Sequence, residues 1–572
     1  QIFGTLSANG QVFLSNPQGV IFGPSSRIDV GGLLATSLKL SNEDFLANRI
    51  NLTQGATAGL VKNMGQLLAQ QGGYVALVGG QVSNEGQIIA PQGTAALASG
   101  GDVRLTIGDT GLVSVKVDTA SPQARIDQSG LIAADGGRVH LSAMSAAPAL
   151  ATAVNQTGTV RANTIVERGG EIYIEANGGV AQIGGQLQAA GQNTGEKGGL
   201  IAVTGAEVHV GPQARIDASG AAGGGTVLLG GGWQGDRSVI DSARKVRVDA
   251  GAEIRTDATQ EGQGGTTVLW SEQATEFKGD ISARGAGSGR GGQVETSSRG
   301  ALGVTGSVTV DAPSGTGGRW LLDPATLKVV ETAVQPDEVA ASTIQSTLNG
   351  VSANAVDLLA NAITVTADIA KTAGGASTLT LRNTGATNGT IDINGSISSN
   401  HGVLNVVLGD AAMLDGGRVT INGALSTNGG NVTVYKPVTL ASTTPITTKI
   451  SDAASTSTSG SVNFFKDVTL AAPGYNVTIN TQGPQSGLPY TGNGGNILFQ
   501  GNVMSGEYPA SVFYPHALTL DTTGANSGSI TLGTTSANYV GGAGAAGLKS
   551  LTLLGTANTL LNAGTLNLYS TS

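Results

Sequence analysis

The sequence predicts an all-β chain: a right-handed parallel β-helix with a short helical break near residues 337–349. Three observations predict it. Short apolar strands alternate with tight turns from the first residues onward. Gly-Gly pairs precede alternating strands repeatedly through the middle of the chain, the mark of a repeat architecture. The 90 glycines in 572 residues, with 4% aromatics and 12% charged residues, describe a turn-rich chain. Hydrophobic residues at 39% argue against disorder, which needs low hydrophobicity and high net charge. The strict Gly-X-Y period of collagen is absent.

The first element is Ser7–Ser37, SANGQVFLSNPQGVIFGPSSRIDVGGLLATS. Apolar strands at Val12–Leu14, Val20–Phe22, Ile28–Val30 and Leu33–Leu34 are separated by Asn9-Gly10, Asn16-Pro17-Gln18-Gly19 and Gly31-Gly32. Asn-Gly and Gly-Gly are expected to supply the positive-φ positions of sharp turns. Asn-Pro starts a turn, because Pro fixes φ and bars the preceding residue from helix.

This stretch resembles the haemagglutination-type secretion domain of two-partner secretion exoproteins, the filamentous-haemagglutinin-like adhesins. Their pattern reads roughly ANGQVFLINPNGVIFG, followed by GGLVAST. Asn9, Gly10, Asn16, Pro17, Gly19, Gly23, Gly31 and Gly32 match it, and Gln18 replaces the usual Asn. In that family a signal peptide and a longer segment precede the motif. Gln1 opens with neither a charged n-region nor an apolar h-region, so the chain is expected to be part of a larger precursor.

The second element is the glycine-led repeat. The second glycines of its pairs stand at Gly137, Gly170, Gly199, Gly225, Gly265, Gly292 and Gly318. One coil reads as strands Leu200–Thr204, Glu207–Val210 and Ala214–Asp217, with Ser219–Gly225 turning into the next. A single coil cannot bury its apolar face, so stacked neighbours complete the core. The echo PQARIDQSG at Pro122–Gly130 and PQARIDASG at Pro212–Gly220, with Arg27-Ile28-Asp29, places Ile inward and Arg and Asp outward by period two. Such charges form either a ladder for a polar ligand or, by default, a solvated face with coil-to-coil ion pairs.

The pattern breaks at Arg319–Pro324 (RWLLDP), similar to a stretch found in the resembled family. Asp337–Asn349 then reads as a helix, with Val339, Ile344 and Leu348 near helical spacing and Gly350 as its stop. A second β region richer in Asn, Ser and Thr follows, and Ser451–Gly460 reads as an exposed loop. The expected domains are therefore the remainder of the secretion domain over 1–120, Gly-rich β-helix repeats over 121–323, a connecting segment with its helix over 324–361, and a second β-helix region over 362–572.

The chemistry expected is sparse. Zero Cys removes disulfides and thiolate metal sites. A net charge of −9 without a basic run argues against nucleic acid. His140 and His209 sit in strand patterns, and no HExxH or close His pair exists with His401 and His516. Gly287–Gly292 fits GxGxxG by letter but precedes a strand, so it reads as a turn. Asp102, Asp109, Asp127 and Asp135 are the densest acidic neighbourhood near the front, too loose to name a catalytic pair. Trp270 and Trp320 read as core or cap residues, and Trp233 in GGGWQGDR is the candidate ligand platform. No enzymatic activity, no cofactor and no metal are expected.

The resemblance implies a secreted, extracellular or cell-surface protein of a Gram-negative bacterium. It would act as an adhesin or biofilm-matrix exoprotein, an elongated binding or structural rod. Its export partner would be an outer-membrane β-barrel transporter with POTRA domains. Polysaccharide or host-surface glycan, and a head-to-tail homo-oligomer, are further partners to consider. The alternatives are a self-assembling filament subunit, the stalk of a contact-dependent toxin delivery protein, and a carbohydrate-active β-helix enzyme.

Overall fold

A computed structural model describes residues 1–568 apart from 48, 57–58, 108–111, 147–150, 166–167, 384–388, 413–415, 442–445, 451–457, 472–475, 484–492, 509–511, 514–515, 525, 542–547, 556–557 and 567. Asp109 and most of the loop expected at 451–460 lie outside the described residues. The chain divides into two compact units: Gln1–Ala301 with Thr305–Gly318, and Leu302–Val304 with Arg319–Ser572.

The first unit is a parallel β-helix. Leu200–Val210 is one continuous strand, so the two strands expected there run together through Gly205. Arg215–Asp217 forms the next wall, and Thr226–Leu229 begins the following coil. Parallel pairing aligns like with like. Ile88, Ile132, Val160, Leu187, Ile216, Ile254, Ile281 and Val308 follow one another in register. Each is at most 1% exposed. The column forms because alternation turns every second side chain inward, and the coil spacing of ~4.8 Å puts successive inward residues in contact.

The repeated glycines have a steric role. A Cβ at Gly199 would lie 2.1 Å from the Gly170 carbonyl oxygen, one at Gly225 2.1 Å from that of Gly199, and one at Gly265 2.1 Å from that of Gly225. None of the three has a positive φ. The position is glycine because backbone stacks directly on backbone. The same correction applies at the front: Gly10, Gly31 and Gly32 are not in the left-handed region. Asn9-Gly10 and Gly31-Gly32 lie inside the strands Thr5–Ser15 and Arg27–Thr36, at a register shift that bends both together.

A four-stranded antiparallel sheet, made of Lys39–Leu40, Ile50–Thr53, Asp102–Ile107 and Val113–Thr119, lies over one outer wall of the early coils. Leu52, Val103, Leu105, Val115 and Val117 bury against Leu34, Tyr74, Ala76, Val78 and Ala96. Sequence reading missed this layer, although the alternation VSVKVDT was its signal.

The second unit repeats the parallel pairing on shorter strands. Ile363, Ile391, Val419, Val438, Val468 and Val503 form one inward column. Its helix is Ala341–Leu348, with Ile344 and Leu348 fully buried. Glu338–Ala340, expected inside the helix, is a strand that pairs with Lys328–Val330. Val339 therefore reaches the core from a strand. Among the described residues no helix is long and apolar enough to cross a membrane.

Candidate functional site

The front motif separates into exposed and buried residues. Asn9, Gly10, Asn16 and Pro17 are exposed, Gly19 and Gly31 are half-buried, and Gly23 and Gly32 are buried. The turn expected at Asn16–Gly19 forms. Asn16 Oδ1 accepts from the Gln18 amide at 3.0 Å, and the Gly19 amide donates to the Asn16 carbonyl at 2.8 Å. Gly19 takes a φ of 110°, open to glycine at no steric cost.

Gly23 and Gly32 are buried for a different reason, since each lies under an aromatic ring. A Cβ at Gly23 would fall 2.3 Å from the Phe3 ring, and one at Gly32 2.8 Å from the Tyr74 ring. Tyr74 pairs in register with Gly32, and its hydroxyl donates to Gln11 Oε1 at 3.2 Å. Burial pushes the Tyr74 phenol up to about 12. The motif thus locks the first coils together while presenting Asn9 and the Asn16-Pro17 turn to solvent.

The outer walls of the first unit carry the charged ladders. Ile28, Ile126 and Ile216 point inward, and the flanking Arg and Asp point outward, as the alternation requires. Arg125 pairs with Asp127 at 2.7 Å, and Arg215 reaches Glu253 at 3.4 Å across one coil step. Burial works against the charged form of Asp127, but hydrogen bonds from Arg125 and Asn155 outweigh it and hold its carboxyl below the usual range. The described members of the acidic neighbourhood each have their own partner: beside the Asp127–Arg125 pair, Asp135 binds Arg161 at 2.8 Å, and Asp102 accepts from Thr119 at 2.8 Å.

His209 meets a carboxylate. Its Nε2 lies 2.7 Å from Asp249 Oδ2, while Arg247 Nε donates to Asp249 Oδ1 at 2.7 Å. Burial raises the Asp249 carboxyl, and the hydrogen bonds from His209 and Arg247 outweigh it, for a net lowering. His140 Nε2 lies 3.4 Å from Glu175, which also accepts from Ser142 at 3.0 Å. Among the described residues, no group of three or more His, Asp or Glu could hold a metal ion. Gly287 sits in a turn with a φ of 57°, ahead of the strand Gln293–Ser298, so the GxGxxG letters mark a turn.

Trp233 is half-buried. It packs with Ile240 from its own loop onto Ala202, Leu228, Val268 and Trp270 of the wall. The loop is fastened by the Gln234 amide, which donates to Glu295 Oε2 at 2.8 Å, and by Thr204, which donates to the Asp241 carbonyl at 2.7 Å. Trp270 is 6% exposed and Trp320 fully buried, both core residues as expected.

Residues 1–189 match the family model of the TPS secretion domain. The chain is 32% identical over 184 residues to a heme/hemopexin-binding protein of Haemophilus influenzae strain Rd, covering 31% of this chain and 20% of that protein. A second Haemophilus influenzae heme/hemopexin-binding protein is 34% identical over 200 residues, covering 31% of this chain and 21% of that protein. The chain therefore spans about a fifth of the length of these relatives. The crystal structure of the HMW1 secretion domain from Haemophilus influenzae aligns with a TM-score of 0.47 and 29% identity, over 56% of this chain and 82% of that one. The front motif falls within the matched residues, so the first 189 residues of the chain are similar to the secretion domain of two-partner secretion exoproteins.

Proposed function

We propose that this chain is the export-competent β-helical part of a surface adhesin or biofilm-matrix exoprotein. TPS exoproteins are secreted from Gram-negative bacteria, and the TPS domain implies an outer-membrane transporter as export partner. Asn9 and the Asn16-Pro17 turn are the residues we assign to recognition by the POTRA domains of that transporter. The observation that carries the reading is the TPS match over the residues that hold the exposed motif.

Export follows from the stacking. Each coil that emerges pairs with the one before it and buries one more residue of each inward column. Burial of an aliphatic side chain is worth about 1.5–3 kcal/mol, so each completed coil opposes backsliding. On the outer walls, side chains are free of core duty, and the polar and charged ladders there suit adhesion to polysaccharide or host-surface glycan. The relatives' heme and hemopexin binding is not carried over, because the match covers about a fifth of those proteins.

The test is secretion of the full-length precursor with and without its transporter, followed by adhesion of beads coated with the chain to epithelial cells and to abiotic surfaces. Transporter-dependent secretion with bead adhesion supports the reading. Secretion with no adhesion to either surface overturns the adhesin assignment and leaves export standing.

A further inference from the structure

One wall of the first unit carries a groove of about 420 Å³. Its long side is a ladder of planar side chains, one per coil. Gln182 stands in register with His209, His209 with Arg247, and Arg247 with Glu276. The groove exists because the neighbouring outward column is uneven. Val180 and Ala274 are short there, on either side of Glu207 and Lys245.

We propose that this groove binds a neutral, linear polysaccharide laid along the β-helix axis. The proposal rests on the glycan reading given above and names its site. Three physical arguments select the ligand class. The first is repeat length. The ladder repeats at the coil spacing of ~4.8 Å, close to the length of one extended pyranose unit. An extended peptide turns a side chain toward the wall only every two residues, roughly 6.8 Å, and falls out of step within two coils.

The second is charge. Lys245 lies 3.7 Å from Glu207, Arg247 2.7 Å from Asp249, and Lys278 3.5 Å from Glu276. A polyanion needs cations in surplus, and here each of these cations already has its acid. The third is chemistry. An amide, an imidazole, a guanidinium and a carboxylate in sequence offer both donors and acceptors, which matches hydroxyls that do both. The groove lining holds no Phe, Tyr or Trp, so binding is weak per site and gains from ligand length.

The experiment uses the full 572-residue chain and isothermal titration with three neutral hexasaccharides: cellohexaose, chitohexaose and xylohexaose. Heparin hexasaccharide is the charged comparator. At least one neutral probe binds, and shortening it to a disaccharide abolishes binding. Val180→Arg with Ala274→Arg fills the groove from the solvent side, with an expected loss of tenfold or more. Gln182→Ala, which leaves the groove open, weakens binding about fivefold, as one lost hydrogen bond predicts. Thermal melting checks that each variant folds, and Gln182→Ala with Glu276→Gln replaces the arginine pair if that pair misfolds. Neutral-probe binding that survives these changes overturns the groove and leaves the glycan reading standing. Binding of heparin alone overturns the groove. Binding of no oligosaccharide overturns both.

Discussion

Asn84 donates to Gln128 Oε1 at 2.8 Å across one coil step, and both side chains are fully buried. Asn84 also accepts from Asn63 Nδ2 at 2.8 Å. Gln128 passes its own amide hydrogen to the Gly130 carbonyl at 2.9 Å. The result is a buried amide ladder at one corner of the β-helix. It satisfies polar groups that the turn between walls would otherwise bury unpaired. Asn84→Ala leaves Asn63 and Gln128 each short of a partner. The expected cost is about 1–3 kcal/mol, read as a lower urea midpoint for the first unit. An unchanged midpoint means that water replaces the amide.

Gly225→Ala tests the glycine column. The added Cβ would meet the Gly199 carbonyl oxygen at 2.1 Å, and backbone cannot move aside as a side chain does. The coils must part locally, and inward packing at Val227 and Ile201 loosens with them. The expected loss is about 1–3 kcal/mol, the usual range for overpacking. Ala at Gly4, where nothing lies within 4 Å, is the matched control and costs little.

The inward columns were legible because period two and stacked coils leave little choice for Ile216 or Ile126. The reason for the glycines was not. Sequence reading assigns Gly31-Gly32 to turn dihedrals, whereas the constraints are the Asn9 carbonyl against Gly31 and a Tyr74 ring over Gly32, each supplied from another coil. Position in sequence does not reveal what packs overhead. The same applies to Trp233, whose loop reads as exposed until Leu228 and Trp270 are placed beneath it. The groove was hidden for a related reason. Its ladder joins Gln182 to Glu276 through coils of unequal length, so no sequence spacing connects them.

Lys371 gives a pH prediction in the second unit. It is fully buried, and its Nζ donates to the Leu348 carbonyl at 2.9 Å and to the carbonyl of Ala373. Burial lowers its pKa from 10.5 to about 8. Between those values the unfolded chain holds the proton and the folded one releases it. Unfolding then takes up protons, so stability rises with pH through that window. The burial penalty is fully present below about pH 8. The urea midpoint of the second unit should climb from pH 8 to pH 10 relative to Lys371→Met, which lacks the titration. A difference that is flat or falls over that range contradicts the assignment.

Gly32 and Asn9 allow folding to be separated from recognition. Gly32 is buried under Tyr74 and lies in a strand paired on both sides. Gly32→Pro removes a strand amide and forces ring against ring, so the first coils cannot close. Asn9 is exposed at the bend of the first strand, and Asn9→Ala should leave the melting temperature within about 1 °C because exposed changes cost little. If recognition precedes folding, as export of an unfolded chain requires, Asn9→Ala lowers secretion and binding to an isolated POTRA fragment. Gly32→Pro then retains POTRA binding but loses secretion, because no folded coil holds the chain outside. Unchanged secretion of Gly32→Pro would show that coil stacking does not drive export. Loss of POTRA binding in Gly32→Pro alone would place recognition on the folded coil, with Tyr74 and Gln11 as its next candidates.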